Sequence, residues 1–165
     1  MRRMMQNQLN AVADDAGNYI GRVYTACTAY TNTTAAIMAS GARPQNTDGV
    51  ELLTAVFTPT TTANRIRARG TANVWAAANG DAVLALFHSS SSLAIQAAVM
   101  TVQANQGSVI PFEYETTVTS TVSQSFAVRV GDGGDGNTIY FNGDSTANFF
   151  SGIIRHTLII EEIEP

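Results

Sequence analysis

The feature of this sequence that most resembles catalytic chemistry is His88, followed by a run of four serines at residues 89–92. A serine hydrolase needs a base, an acid that orients the base, and donors that stabilise the oxyanion. The sequence lacks the G-x-S-x-G motif that places a nucleophilic serine on a sharp strand-to-helix turn. A serine run after a strand is ordinary turn composition. We therefore predict a polar turn here and no catalytic role.

Three arginines and two glutamates alternate with other residues in segments of strand character, so each set projects from one face of its strand. The arginines are Arg65, Arg67 and Arg69, and the glutamates are Glu113 and Glu115. A glutamate pair could serve a retaining glycosidase, whose carboxyl groups lie about 5 to 5.5 Å apart, but nothing else in the sequence resembles a sugar cleft. Because a guanidinium group binds carboxylates in a bidentate manner, we predict instead that these five side chains meet across a subunit boundary.

A glycine-rich segment with acidic residues, GDGGDGN at residues 131–137, could offer oxygen ligands to calcium. The EF-hand pattern uses alternating positions and closes with a glutamate at the twelfth. Here Asp132 and Asp135 are three residues apart, and the twelfth position counted from Asp132 is Gly143. Glycine, aspartate and Asn137 also favour turns because they tolerate positive φ. The segment is predicted to be a hairpin turn, with calcium as the weaker alternative, and no metal or other cofactor is expected.

Cys27 and His156 are the remaining candidates for chemistry. Cys27 shares a strand face with small residues and is expected to be a small buried hydrophobic residue. It is the single cysteine, so an intrachain disulfide is excluded, and no zinc-ligand spacing occurs. His156 alternates with apolar residues in the last predicted strand, which favours a packed or inter-subunit imidazole over a base. No catalytic residue is predicted.

The composition indicates self-association. Charged residues make up 13% of the 165-residue chain, about half of the roughly 25% typical of soluble domains, and there is no lysine. Because mixed surface charge normally opposes association, we expect much of the surface to be buried against copies of the same chain. The net charge of −4 argues against binding to nucleic acid, which requires a basic patch.

The sequence shows no targeting or membrane segment. The start, MRRMM, runs into QNQ and lacks the apolar region of a signal peptide. No apolar run reaches the roughly 18 residues needed to cross a bilayer. We expect synthesis in the cytoplasm without membrane insertion.

Short segments rich in β-branched and aromatic residues recur along the chain between turn signals, which predicts an all-β, antiparallel, jelly-roll-like β-sandwich. The apolar run AVLALF at residues 82–87 is typical of a central strand buried on both faces. The sequence leaves open whether the alternating strand that begins at Arg65 ends at Gly70 or continues beyond it. Residues 93–102 fit either a helical turn or a strand.

The N-terminal segment predicts an anchor. Met5, Leu9 and Val12 recur at the spacing of one helix face, which indicates a short N-terminal helix or arm within the first 16 residues. An isolated helix this short is marginal in water, so a partner is expected to hold it. We divide the chain into an N-terminal anchor segment, residues 1–22, and a β-sandwich domain, residues 23–165.

Several short motifs resemble, in their order, those of a bacteriophage domain family found in tail-fibre and other virion proteins. PQNTDG at residues 44–49, with TP at 58–59 after the next strand, resembles the family's PQNT(E/D)G…ITP opening. The other matching motifs are NRIR at 64–67, ALF at 85–87, FAVRVG at 126–131, YFNG at 140–143 and LIIEEI at 158–163. The likeness runs from about residue 23 to the C-terminus and departs at NFFSG, residues 148–152, where the family often has an arginine and FGG.

The resemblance implies a β-sandwich that assembles as a homotrimer on a phage particle, without catalysis. One location is a capsid decoration (cement) protein or head spike that binds the major capsid protein or another virion protein through the anchor segment. The alternative is a tail fibre or receptor-binding protein that recognises a host surface glycan. The short N-terminal segment has neither heptads nor a collagen-like repeat for a shaft, which favours decoration. In both cases the protein would be made in the host cytoplasm and located in the virion.

Overall fold

The described part of the chain, residues 13–14 and 17–165 of a computed structural model, forms two antiparallel sheets that pack face to face. In chain order the strands are β1 (Ala13–Asp14), β2 (Gly17–Cys27), β3 (Thr31–Thr33), β4 (Val50–Phe57), β5 (Arg65–Ala76), β6 (Gly80–His88), β7 (Gln96–Val102), β8 (Gln106–Thr117), β9 (Gln124–Asp132), β10 (Ile139–Phe141) and β11 (His156–Ile163). A 3-10 turn at Phe149–Gly152 precedes β11. The predicted antiparallel β-sandwich is confirmed.

The larger sheet has seven strands and is centred on β5. Its strands follow the order β1-β2-β11-β5-β10-β3, and β8 pairs with the other edge of β5 over the whole strand. Strand β5 continues across Gly70, where it pairs with both β8 and β11. A Cβ atom at this position would lie 1.9 Å from the carbonyl oxygen of Thr157. Only glycine allows β11 to approach this closely.

The smaller sheet has the order β4-β9-β6-β7. One face of β6 enters the core between the sheets. Its other face is covered by a segment that we call the strap, residues 34–49, whose Ile37 is fully buried against Val83, Ala85 and Phe87. The Ile37 N–H donates to the carbonyl of Asp132 at 2.8 Å. The predicted burial of this strand on both faces is confirmed, and the strap is what covers the outer one.

The main core is formed by the inward-facing residues of both sheets. Alternation places Phe112 of β8 inside and Glu113 outside, as the sequence predicted. Each fully buried large apolar side chain contributes roughly 1.5 to 3 kcal/mol. The largest such side chains from the two sheets are Ile66, Leu84, Leu86, Ile110, Phe126, Ile139, Phe141, Leu158 and Ile160.

The N-terminal prediction falls partly within the described residues. The side chains predicted to anchor the protein lie outside them: Met5, Leu9 and Val12. Ala13 and Asp14, which the predicted helix included, instead form β1 and pair with Gly17 and Asn18. The helix is therefore wrong for these two residues, because the hairpin with β2 satisfies their backbone groups. Residues 17–22, assigned above to the anchor segment, form the first part of β2.

The ambiguous segment at residues 93–102 is a strand from Gln96 onward, at the edge of the smaller sheet. Its pairing with β6 decides in favour of the strand, since the local sequence fitted both structures. Among the described residues, no helix is long and apolar enough to cross a membrane.

Candidate functional site

The predicted arginine cluster lies on the outer face of the larger sheet and surrounds a glutamate that the sequence analysis did not select. Glu161 of β11 accepts hydrogen bonds from Nε and Nη2 of Arg67, at 3.2 and 3.0 Å. Arg69 donates to the same carboxylate from Nε and Nη2, both at 3.0 Å. Arg22 approaches it at 3.7 Å, and the Glu161 side chain is only 2% exposed. Three guanidinium groups of the same chain thus enclose one carboxylate.

The arginines keep Glu161 ionised. Burial acts to raise its pKa by penalising the charged form, but the hydrogen bonds and charges of Arg69 and Arg67 outweigh burial, so the pKa is lowered. Removing one member of such a cluster is costly because the remaining charges lose their partner. Glu161 therefore has its cationic partners within the chain and needs no second subunit to supply them.

Glu113 and Glu115, the other predicted members of an inter-subunit contact, lie opposite the arginines on β8. In the register between β5 and β8, Glu113 faces Arg69 and Glu115 faces Arg67. Glu115 also forms an ion pair with Arg65. The structure therefore brings the five predicted residues together on one sheet face, where Arg65, Arg67, Arg69 and Glu115 form ion pairs within the chain. Their contact with another subunit stays a prediction.

The residue after Glu161 points to the opposite side of β11 and closes one end of the sandwich. Glu162 is 0% exposed and accepts hydrogen bonds from the backbone N and the Oγ1 of Thr60, at 3.0 and 2.8 Å. The side-chain amide of Asn64 donates to it at 2.7 Å. Burial acts to raise the pKa of Glu162, but these hydrogen bonds lower it. The contact joins the NRIR and LIIEEI motifs.

The glycine-rich segment at residues 131–137 is a turn organised by its own aspartate. The Asp132 carboxylate accepts three backbone N–H groups, from Gly134, Gly136 and Asn137, at 3.0, 2.8 and 3.2 Å. The predicted hairpin is wrong, because β9 belongs to the smaller sheet whereas β10 pairs with β5 and β3. The turn is a crossover between sheets. Within the described residues, no group of three or more His, Cys, Asp or Glu side chains is placed to hold a metal ion.

His156 is packed inside the chain. Its Nδ1 accepts the backbone N–H of Asn73 at 3.1 Å, and its ring meets Phe141 edge-on with centroids 5.9 Å apart. Burial lowers the pKa of His156 to about 4, so the ring is neutral at pH 7. This agrees with the packed-imidazole interpretation. Cys27 is half-buried and packs against the main core.

A concave depression of about 360 Å³ lies on the outer side of the smaller sheet, beside the strap. Strands β4, β6 and β9, the strap and the serine turn after β6 contribute to it. The lining residues are Asn46, Glu51, Phe87, His88, Ser89, Ser90, Ser91, Ser92, Ser125, Ala127 and Arg129. Neither Glu113 nor Glu115 is among them, so the predicted arginine and glutamate cluster is a separate place on the molecule.

The serine turn places Ser90 against His88 at one end of the depression. His88 Nδ1 lies 2.7 Å from Ser90 Oγ, and its Nε2 lies 2.9 Å from Gln124 Oε1. Gln124 donates its amide N–H to the Ser120 carbonyl, which turns its oxygen toward the histidine. Nδ1 is therefore the nitrogen that accepts the serine hydroxyl. A neutral amide lacks the negative charge with which an aspartate stabilises an imidazolium, and the contact is the local one of a turn.

Arg129 fixes the strap beside the depression. Its Nε donates to the Asp48 carbonyl at 2.6 Å and its Nη2 to the Gly49 carbonyl at 2.8 Å. Its Nη1 lies 3.8 Å from Glu51 Oε2. This guanidinium connects the FAVRVG and PQNTDG motifs, so the short motifs of the sequence are largely contacts between distant segments.

Glu161, Glu162 and Arg129 were not predicted as site residues, although each makes several polar contacts within the described part of the chain. One signal was available. Two consecutive glutamates in the apolar strand LIIEEI must point to opposite faces, so one of them has to face the interior and find donors there.

No protein-family model and no curated protein matches the chain. Solved structures with distant similarity include the C-terminal domain of EclA, a sugar-binding protein, at 14% identity and TM-score 0.37, covering 69% of this chain and 74% of that one. They also include a chain of infectious bursal disease virus, Gx strain, at 12% identity and TM-score 0.35, covering 89% of this chain. Dimeric latent PorU from Porphyromonas gingivalis is similar at 11% identity and TM-score 0.46, covering 96% of this chain.

This chain spans 37% of the viral chain and 14% of PorU. Similarities at these identities and TM-scores carry no argument about activity. The resemblance to the phage family stays a prediction.

Proposed function

We propose that this chain is a non-enzymatic structural protein of a bacteriophage particle and assembles as a homotrimer through the outer face of the larger sheet. The observation that carries the proposal is that this face combines ion pairs within the chain with exposed apolar side chains. Arg65, Arg67 and Arg69 form ion pairs with Glu115 and Glu161 of the same chain, whereas Tyr24 and Val109 are 49% and 50% exposed. A face with paired charges and exposed apolar groups can be covered without leaving unpaired charge.

The composition supports the same proposal. With 13% charged residues, the chain has few repelling charges to keep copies apart. The resemblance of the short motifs to a phage family supports the phage particle as the place where the chain assembles. The partners proposed are other copies of the chain and the major capsid protein or another virion protein, with no nucleic acid.

Within the virion we favour a capsid decoration protein or head spike. The alternative is a tail fibre or receptor-binding protein that recognises a host surface glycan. Stained-gel densitometry of purified particles, measured against the major capsid protein, separates the two. Decoration gives hundreds of copies per particle and a fibre a few tens or fewer. Absence of the chain from purified particles would contradict both.

The anchor prediction is tested by deleting residues 1–12. The deletion stops before β1, so the paired strands of the sheet are retained. We expect the truncated chain to stay folded and trimeric but to lose binding to particles. Particles decorated by the truncated chain would show that the anchor lies elsewhere.

The enzyme alternative has its best candidate in Ser90, because its hydroxyl contacts His88. A fluorophosphonate probe, which labels activated serines, tests it directly. We expect no labelling beyond that of a Ser90→Ala control. Labelling that disappears in Ser90→Ala would contradict the non-enzymatic proposal.

A further inference from the structure

We propose that the depression on the smaller sheet is a binding site for a neutral saccharide. The proposal rests on the proposed function, since such a site is useful on a chain displayed to a host surface, and it adds the place and the ligand class. Four observations support it: unpaired polar groups, balanced charge, fixed walls and suitable size.

The first observation is that polar side chains of the lining are left without partners. Within the described part of the chain, the side chains of Asn46, Ser92 and Ser125 make no hydrogen bond to protein groups, and those of Asn46 and Ser92 are exposed along the lining. An amide and two hydroxyls provide both donors and acceptors. Sugar hydroxyls also donate and accept, so the two sets are complementary.

The second observation is the balance of charge. The lining contains one guanidinium, Arg129, and one carboxylate, Glu51. Arg129 already uses its Nε and Nη2 on two backbone carbonyls, and Glu51 at 3.8 Å offsets its charge, so few of its donors are left for a phosphate or sulfate. The Glu51 side chain is 51% exposed and can accept hydrogen bonds from hydroxyls. The site therefore suits a neutral ligand better than an anionic one.

The third observation is that the walls are held in place. The backbone N–H of Asn46 donates to the Ser92 carbonyl at 2.8 Å, which ties the strap to the serine turn. Ser89 Oγ accepts the backbone N–H of Ser125 at 3.2 Å, which ties that turn to β9. A site with fixed walls loses little conformational entropy when its ligand binds.

The fourth observation is the size of the depression, which fits a small ligand. The volume of about 360 Å³ falls within the range of roughly 300 to 1,000 Å³ for small-ligand sites. Of the two apolar lining residues, Ala127 is half-buried and offers a small apolar contact, whereas Phe87 is only 3% exposed. The depression thus offers mainly polar groups to a ligand.

The test uses the full-length chain, fluorescently labelled, on an array of neutral bacterial surface oligosaccharides with anionic glycans alongside. We expect binding to at least one neutral glycan. Asn46→Ala and Ser125→Ala should each weaken that binding about three- to tenfold, as the loss of one hydrogen bond does. Asn32→Ala, an exposed asparagine of β3 in the other sheet, is the matched control and should bind as the wild type does.

Three results would overturn the proposal: no binding to any neutral glycan, binding that both depression variants leave unchanged, or a preference for anionic glycans that the variants do not alter. Thermal unfolding of each variant shows whether the fold is retained. The copy number of the chain on particles does not depend on this site. Loss of the saccharide proposal would therefore leave the proposed structural function standing, and absence from particles would remove the latter separately.

Discussion

The outer faces of the two sheets carry different kinds of side chains. On the larger sheet Arg22, Arg67 and Arg69 pair with Glu161, and Arg65 pairs with Glu115 of β8. On the smaller sheet the strap covers β6 and leaves a depression lined mainly by uncharged polar groups.

The comparison shows that the most conspicuous charges of this protein are structural. A charge cluster whose members satisfy one another has little to offer a ligand, although it can be covered by another protein surface. Unpaired amides and hydroxyls are less conspicuous in a sequence, but they remain available. The predictions below separate the two kinds of surface.

The largest effect is expected from Glu162→Ala, because it leaves the buried Asn64 amide and the Thr60 donors without their acceptor. We expect the free energy of unfolding to fall by about 3 kcal/mol, as measured by urea denaturation. Gln103→Ala, at an exposed position after β7, is the control and should change it by less than about 0.5 kcal/mol. Equal small effects of both substitutions would contradict the role of Glu162.

Glu161→Gln tests the centre of the charge cluster. The substitution keeps the shape but removes the charge that Arg67 and Arg69 share, and we expect a loss of about 2 kcal/mol. The loss should be smaller than for Glu162→Ala because the arginines remain partly exposed to water. A neutral or stabilising result would show that the cluster is not structural.

The pH dependence of stability should have two windows. His156 has an ordinary pKa of 6.5 when unfolded and about 4 when folded, so over this range the unfolded chain binds a proton that the folded chain does not. Stability should fall by about 2 kcal/mol between pH 7 and pH 5. The pKa values of Glu161 and Glu162 are lowered below 4.5, so their contribution is present above that value and is lost as the pH falls further.

Urea denaturation of His156→Gln at several pH values distinguishes the windows. The substitution should flatten the upper window and leave the lower one in place. An upper window of unchanged slope in His156→Gln would contradict the assignment to this histidine.

The smallest effects are expected at the depression. Asn46→Ala and Ser125→Ala should each change the free energy of unfolding by less than about 0.5 kcal/mol, because their side chains make no hydrogen bond within the described part of the chain. A loss above about 1 kcal/mol in either variant would show that the group is structural, which would remove the contrast with the larger sheet.

Local alternation was enough to predict the two faces of β8, because side-chain direction in a strand has a period of two. The continuous apolar run at residues 82–87 predicted the double burial of β6, and the recurrence of short strand segments between turns predicted the sandwich. It could not reveal which distant strands become neighbours, so the contact of Arg67 with Glu161 was missed. The turn at residues 131–137 shows the same limit. Its residues specify a turn, whereas hairpin or crossover depends on which sheet the next strand joins.

The central claim, that the outer face of the larger sheet joins copies of this chain, is tested most directly by sedimentation equilibrium of Val109→Glu. Val99→Glu is the matched control, since Val99 is 52% exposed on the smaller sheet. At micromolar concentration we predict a trimer for the wild type and for Val99→Glu, and for Val109→Glu a monomer that keeps the β-sheet circular dichroism of a folded chain. A wild-type monomer, or a trimer that Val109→Glu leaves intact, would contradict the account.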